Sequence, residues 1–468
     1  MKKVKNLVVY EPHYTFKKEK VEITDDELAL ITEKITVNRE KFIDIKSGLK
    51  GEYHIDTNQY VGFGYIDGIN LTILPKVFNR AREMGTFDER DEIIAFIRML
   101  DIILQLKLKE SYAILKKRRI GERNIHEVFM YLYTLMLYRE LQSGVYRRYM
   151  KRVYDEPILR GKLLMSRQIR KLPHQLTTFT QEYHTLSLDN ELNRTLLLAS
   201  KICEQLSRYR DTVSNAKIIS HILSEVTRYR DTSILTTGRE VVFNRLNERF
   251  RRPYNLAKIL LNKIEVGAGK EAYGFFIKMN DLFEEFIYRL IMKEFPGYDV
   301  RWGRSIGKLL RDLNEDGGSE VMEQYPDITI TKNDKILLIV DVKYKELKKS
   351  DDYDEKEGHN KVPINVNDIR QMYVYSRLAY KKNKKEKFDH VPDVILIYPY
   401  LKNAFNDEIF NNRTKLEFGF IIDERKTNKL IITRYDFKNL IKEQITDKEL
   451  LKVIQDALYN AVEKESTS

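Results

Sequence analysis

Cysteine is almost absent: Cys203 is the only one in 468 residues. That excludes an intrachain disulfide and a cysteine-rich zinc site, and Cys203, set in an apolar helical run, reads as a core thiol. No apolar run approaches the roughly 20 residues that a bilayer-spanning helix needs. The opening Met1-Lys2-Lys3-Val4-Lys5 is basic, yet no apolar stretch or small-residue cleavage site follows, so a cytoplasmic location is expected. The eight histidines are scattered, and the closest pair, His174 and His184, has no metal-binding spacing. No G-x-S-x-G elbow supports a serine hydrolase. Val266-Gly267-Ala268-Gly269-Lys270-Glu271 imitates the end of a phosphate-binding loop, but Ile264 stands where the first glycine belongs. Glu271 also replaces the hydroxyl residue that would bind Mg²⁺, so nucleotide hydrolysis by this chain is not expected.

What is present is a chain long enough for two to four domains. Hydrophobic residues at 42% and charged residues at 32% describe a folded globular protein. The net charge of +12 favours polyanionic partners, nucleic acid first among them. From Arg139 to Lys171 there are ten Lys/Arg against three Asp/Glu, interleaved with Tyr146, Tyr149 and Tyr154. Cations replace counterions condensed on phosphates, and tyrosine rings can lie against sugars or bases. Arg147, Arg148, Lys151, Arg152, Arg160 and Lys162 are therefore candidate DNA contacts; a solvated helical face is the competing reading.

Three zones follow one another. Residues 1–87 read as β-rich, with a strand at Leu7–Tyr10 and a hairpin from Tyr60 to Lys76 turning at Asp67-Gly68. Residues 88–265 read as mainly helical, with apolar residues at helical spacing around Ile93–Leu104 and Val128–Arg139. A break comes near Asp155-Glu156-Pro157, and a helix opens at Leu188–Leu196 with capping residues. Residues 270–468 alternate helix and strand. Helices are expected at Met279–Phe295 and Asp368–Tyr380, strands at Asp327–Ile330, Ile336–Val342 and Val394–Tyr398, and a hairpin at Phe418–Thr433. A charged loop is expected from Glu346 to His359. The class is thus α+β and multidomain.

The sharpest signal is Pro326-Asp327 followed by Asp341-Val342-Lys343, two β-rich runs around the turn formers Asn333-Asp334. The midpoint of 327 and 341 is 334, so folding the hairpin there brings Asp327 opposite Asp341 to within one residue of register. Lys343, two positions on, leaves from the same face as Asp341. Two carboxylates about 5 Å apart repel unless a divalent cation lies between them. Mg²⁺ (or Mn²⁺) is commonly held by one or two carboxylates and a substrate phosphate, and a lysine beside it can orient water and offset developing charge. Glu284 borders the apolar stripe of its helix and could add a ligand, or could pair with Asp281 in a capping box. Gln371 shares a helix face with Tyr375 and could orient water or phosphate, or simply be an exposed glutamine.

These residues resemble the McrC family, the nuclease component of McrBC-type restriction systems. The likeness is carried by Val61-Gly62 through Leu74-Pro75-Lys76, Leu282-Phe283-Glu284, Pro326-Asp327 with Asp341-Val342-Lys343, and Ile397-Tyr398-Pro399. Leu159-Arg160-Gly161-Lys162-Leu163 and Asp189-Asn190-Glu191-Leu192-Asn193-Arg194 agree more weakly. The Gln371–Tyr375 helix is similar to that of RecB-like PD-(D/E)xK nucleases. The resemblance implies a carboxy-terminal restriction-endonuclease-like domain at 270–468 and partner docking by the amino-terminal zone. It also implies a hexameric McrB-like AAA+ GTPase partner, which binds the GTP and is stimulated by this chain, with no part for a membrane. A regulatory subunit with a degenerate nuclease, and a stand-alone repair nuclease, are the alternative expectations.

Overall fold

The structure, a computed structural model, describes residues 5–17, 35–37, 40–41, 43–47, 52–66, 68–106, 125–226, 241–266, 272–312, 319–347, 365–420, 428–442 and 445–466, together with Thr24, Leu28, Ile31 and Leu108. The expected loop beyond Leu347, and the loop-like stretch 267–271, lie outside these residues. Among the described residues no helix is long and apolar enough to cross a membrane.

The amino-terminal hairpin forms as its alternation demands: Tyr60–Ile66 pairs antiparallel with Ile69–Leu74, Ile66 facing Ile69. Gly68 takes φ 97°, which glycine reaches without a Cβ clash; its turn partner Asp67 is outside the described residues. Lys5–Tyr10 runs parallel to Ile69–Leu74. On the other flank lies Ala272–Lys278, antiparallel to Tyr60–Ile66. The sequence placed this strand with the carboxy-terminal zone, but its pairing puts it in the amino-terminal sheet of seven described strands. Gly62 permits the approach, because a Cβ there would stand 2.0 Å from the carbonyl oxygen of Phe275. A pairing across some 210 positions leaves no local periodicity to read.

The middle region holds the helices Glu89–Leu104, Ile125–Gln142, Glu191–Leu206, Arg210–Ile222 and Arg251–Leu261. Asp88 caps the first in a capping box with Asp91, and Asn190 caps the third by accepting from the Asn193 amide. The region is not purely helical. Arg148–Glu156 and Phe179–Ser187 form a long antiparallel ribbon, with Lys162–Leu163 added at its edge. Neither face of Arg148–Glu156 is fully buried, so its sequence lacks the apolar alternation that marks a half-buried strand. Of the basic stretch, Arg148, Lys151, Arg152 and Lys162 lie on this exposed ribbon, while Arg139 lies in the last turn of helix Ile125–Gln142 and Arg167 in the short helix Met165–Gln168.

The carboxy-terminal sheet has the strand order Asp299–Trp302, Ile328–Lys332, Lys335–Val342, Asp393–Tyr400, Lys429–Asp436 and Lys415–Gly419. Its two central junctions are parallel, and the expected Phe418–Thr433 hairpin closes the far edge. Burial on both faces explains the unbroken apolar runs of Lys335–Val342 and Asp393–Tyr400. Helix Val366–Lys385 packs Met372, Tyr375 and Ala379 against Ile339, Leu396 and Ile432. Leu337, Leu338 and Val340 face the opposite core, with Phe286 and Leu290 of helix Met279–Glu294 and Ile454 of helix Lys448–Ser466. That second core continues without a break to Tyr10, Phe63 and Phe78 of the amino-terminal part.

Candidate active site

The turn between Ile328–Lys332 and Lys335–Val342 is Asn333-Asp334, at φ 49° and 62°. A two-residue turn matching strand twist needs positive φ at both positions, and Asn and Asp tolerate it. Lys332 faces Lys335 and Thr331 faces Ile336, but then the register slips: Ile330 faces Leu338 and Ile328 faces Val340. Leu337 is the extra residue of a β-bulge. One more step in that register sets Asp327 against Asp341. Without the bulge Asp327 would face Val340, and Asp341 would point through the other side of the sheet. The midpoint at 334 selects the right pair because the bulge supplies the residue that the tight turn lacks.

Asp341 is fully buried and Asp327 half-buried. The Val342 amide donates to Asp327 Oδ2 at 2.7 Å, and Lys343 Nζ stands 2.5 Å from Asp341 Oδ2. Burial, then the charges of Asp341 and Glu284, push Asp327 up to about 8. Burial also raises Asp341, against the pull of Lys343. Burial opposes the charge on Lys343, but Asp341 and Asp327 outweigh it and hold that ammonium above its usual pKa. Without a cation the acid pair therefore keeps a proton at neutral pH. Oδ1 of Asp341 is buried with no hydrogen-bond partner of fixed geometry, an orphaned oxygen that a cation or a shared proton would satisfy. Among the described residues no group of three His, Cys, Asp or Glu side chains is set to hold a metal ion. The arrangement fits an ion that keeps most of its waters, as Mg²⁺ does.

Glu284 comes from helix Met279–Glu294, and the Trp302 indole N–H donates to its Oε1. Burial and, among charges, Asp281 and Asp341 raise its pKa, while Trp302 lowers it. The capping-box alternative fails: the helix starts at Met279 after Lys278, so Asp281 is its third residue and no side chain caps it. Gln371 is half-buried and donates to the Tyr375 hydroxyl at 2.8 Å. That hydroxyl donates in turn to the carbonyl of Tyr325, 3.1 Å away. Burial, then the charge of Asp341, pushes Tyr375 up to about 12, so it stays a donor.

Three neighbours were missed by sequence reasoning. Asp368 opens the Gln371 helix, pairs with Lys345, accepts from the Tyr398 hydroxyl at 3.3 Å, and adds its charge to the field at Asp341. Lys345 was legible as the next same-face residue after Lys343. Trp302, 45% exposed beside Glu284 and stacked on Tyr288, offers a flat ring at the rim of the site.

Residues 55–399 match the McrBC 5-methylcytosine restriction system component family. The chain belongs to that family. Over 98% of its length it is similar to a chain in the solved half-complex from the tetradecameric assembly of Thermococcus gammatolerans McrB AAA+ hexamers with bound McrC. The two are 27% identical with a TM-score of 0.65, and 99% of that chain is covered. The cryo-EM structure of the Thermococcus gammatolerans McrBC complex also matches, at 31% identity over 62% of this chain and 87% of that one, with a TM-score of 0.47. Among curated proteins none matches. The McrC resemblance read from the sequence is thus borne out, and Glu284, Asp327, Asp341, Lys343 and Gln371 all fall inside the family match.

The cations of this McrBC family member divide into two groups. On and beside the ribbon, Arg147, Arg148, Lys151, Arg152, Arg160 and Lys162 are exposed, but several are answered locally. Lys151 meets Glu182 at 2.8 Å, Arg148 meets Glu191 at 3.2 Å, Arg152 meets Asp189 at 3.5 Å and Arg160 meets Glu156 at 3.9 Å. The second group was not singled out in the sequence, although Lys381-Lys382 and Lys384-Lys385 stand plainly in it. Lys308, Lys381, Lys382 and Lys385, with Glu320 and Glu386, line a cavity of about 370 Å³. A smaller one of about 220 Å³ adjoins it through Lys382 and includes Arg304. Both lie along the helix that carries Gln371, roughly 16 Å farther on at 1.5 Å per residue.

Proposed function

We propose that the chain is the DNA-cutting subunit of its restriction system, with a PD-(D/E)xK nuclease domain and an McrB-like AAA+ GTPase as the motor it serves and stimulates. The observation that carries this reading is the juxtaposition of a buried carboxylate, a half-buried one and an ammonium on the Asp327–Lys343 hairpin. Asp327 and Asp341 would hold Mg²⁺, which when bound supplies Lewis acidity toward a phosphate oxygen and lowers the pKa of a coordinated water. Lys343 stays charged and lies against Asp341, where it can donate to a phosphate oxygen as negative charge builds. Gln371, fixed by Tyr375, can orient water or phosphate. Glu284, tethered by Trp302, adds negative charge and can accept from a metal-bound water. GTP belongs to the motor, whose AAA+ relative is seen with McrC in the Thermococcus assembly.

Co-expression with an McrB-like AAA+ GTPase, followed by incubation with methylated and unmethylated DNA, Mg²⁺ and GTP or ATP, tests the proposal. Double-strand breaks are expected only with motor, nucleotide and Mg²⁺ together. Cutting without nucleotide would instead establish a stand-alone nuclease. Enhanced GTP turnover with intact DNA would establish a regulatory subunit.

DNA is proposed to lie along the lysine-lined cavities as it reaches the acids. The pair Lys382→Ala/Lys385→Ala is expected to weaken binding of uncut duplex and to reduce its salt dependence, by about 0.9 in log–log slope for each phosphate no longer neutralised. A filter-binding series from low to high salt measures it, and an unchanged slope would remove these lysines from the path.

A further inference from the structure

Tyr344 stands between two residues that face the acids. Lys343 reaches Asp341 and Lys345 reaches Asp368, so by alternation the ring between them leaves from the opposite side. There its hydroxyl donates to Glu11 Oε1 at 2.9 Å. The same oxygen accepts the Lys76 amide at 2.9 Å, and the Lys76 ammonium sits 4.9 Å from the centre of the Tyr344 ring. Glu11 and Lys76 each follow the end of a strand in the amino-terminal sheet, Lys5–Tyr10 and Ile69–Leu74, which are tied where the Glu11 amide donates to Leu74 at 3.0 Å. Glu11 is 2% exposed and Tyr344 7%. Phe283, adjacent to Glu284, packs edge-on against Tyr344 at 5.7 Å. A buried carboxylate 333 positions away in sequence is thus anchored to the residue next to Lys343.

We propose that Glu11 is a positioning residue for the nuclease centre, fixing Tyr344 and through it the backbone that aims Lys343. This rests on the nuclease reading above. A solvated acid would not reach 333 positions along the chain to this tyrosine. Burying a carboxylate is costly unless its hydrogen bonds are made, and here they are made by the two groups whose relative placement matters. The carbonyl of Ile397, which accepts the Lys343 amide at 2.9 Å, holds the peptide on the other side of Lys343. Lys343 is therefore clamped from the sheet on one side and from the amino-terminal part on the other.

The test uses the full chain with its motor, duplex DNA and Mg²⁺. Tyr344→Phe keeps the ring and removes the hydroxyl; its kcat is expected to fall about tenfold with KM for DNA unchanged, as small misplacements of a reacting group do. Amide exchange at Lys343, followed in the chain alone without metal or DNA, is expected to speed up. Glu11→Gln retains an oxygen that accepts from both Tyr344 and Lys76 and should behave as the parent, whereas Glu11→Leu should match Tyr344→Phe. Parent-like kcat and exchange in Tyr344→Phe overturn the proposal, as does Glu11→Gln being as slow as Glu11→Leu. Should Tyr344→Phe not fold, the two Glu11 variants decide by the same outcomes. Asp341→Asn is run in parallel. If it is inactive while Tyr344→Phe is fully active, only the positioning role fails; if it cuts normally, the nuclease reading and this proposal fall together.

Discussion

Asp341→Asn is expected to reduce DNA cutting by about a hundredfold to a thousandfold, the scale on which removal of a charge-stabilising group acts, and to leave the fold intact. The amide fills the same buried space, but it cannot lend a negative oxygen to a cation. Loss of one partner from a buried ion pair usually destabilises. Here a second acid takes its place. Asp341 is part of what pushes Asp327 up to about 8, so neutralising it lets Asp327 ionise and serve as counter-ion to Lys343. The site passes from two acids, one proton and one ammonium to one carboxylate and one ammonium, with net charge conserved. Thermal unfolding of the metal-free variant should therefore lie within a few degrees of the parent, and motor binding should persist. Normal cleavage by this variant would remove Asp341 from the chemistry. A collapse of the fold would show that Asp341 holds the hairpin.

Metal binding is expected to tighten with pH until about 8, where Asp327 loses its proton, and to level off above. Below that value each ion must displace a proton, so the apparent association constant should rise about tenfold per pH unit. The stability sign runs the other way for the chain without metal. A carboxyl whose pKa is raised by folding contributes most when both states are protonated, below its ordinary value. That contribution is lost as pH climbs toward 8. The melting temperature gained on adding Mg²⁺ should therefore grow from pH 5.5 to pH 8. Calorimetry in buffers of different ionisation enthalpy should count about one proton released per ion at neutral pH. A Mg²⁺ effect independent of pH would mean that the ion binds elsewhere.

Much of the hairpin is legible in the sequence, because a two-residue turn, alternation and a motif at each end act within 17 positions. The same holds for the strand at Leu7–Tyr10, the helix begun at Met279 and the capped helix after Asn190, each signalled by its own residues. What escaped depended on partners far along the chain. Ala272–Lys278 joins a strand some 210 positions earlier, and only the glycine at position 62 hinted that another backbone comes close. The basic ribbon escaped for a different reason: a strand solvated on both faces has no apolar period, so its tyrosines and arginines looked helical by default. Glu284 was placed near the acids from the stripe it borders, but Trp302, which tethers it, lies on an edge strand too short and mixed to announce itself. Asp368 was hidden in the first turn of a helix, where an acidic residue is ordinary.

The extra residue at Leu337 bears on how other chains of this kind should be judged. A relative with as many residues between 331 and 340 but no bulge would still spell both motifs correctly, and could build the same hairpin with a smoother ladder. Its two acids would then sit on opposite sides of the sheet, one facing helix Val366–Lys385 and the other sealed into the far core. By its letters that chain would pass as an enzyme, yet it would be inert; the register of the ladder, not spelling, separates the two.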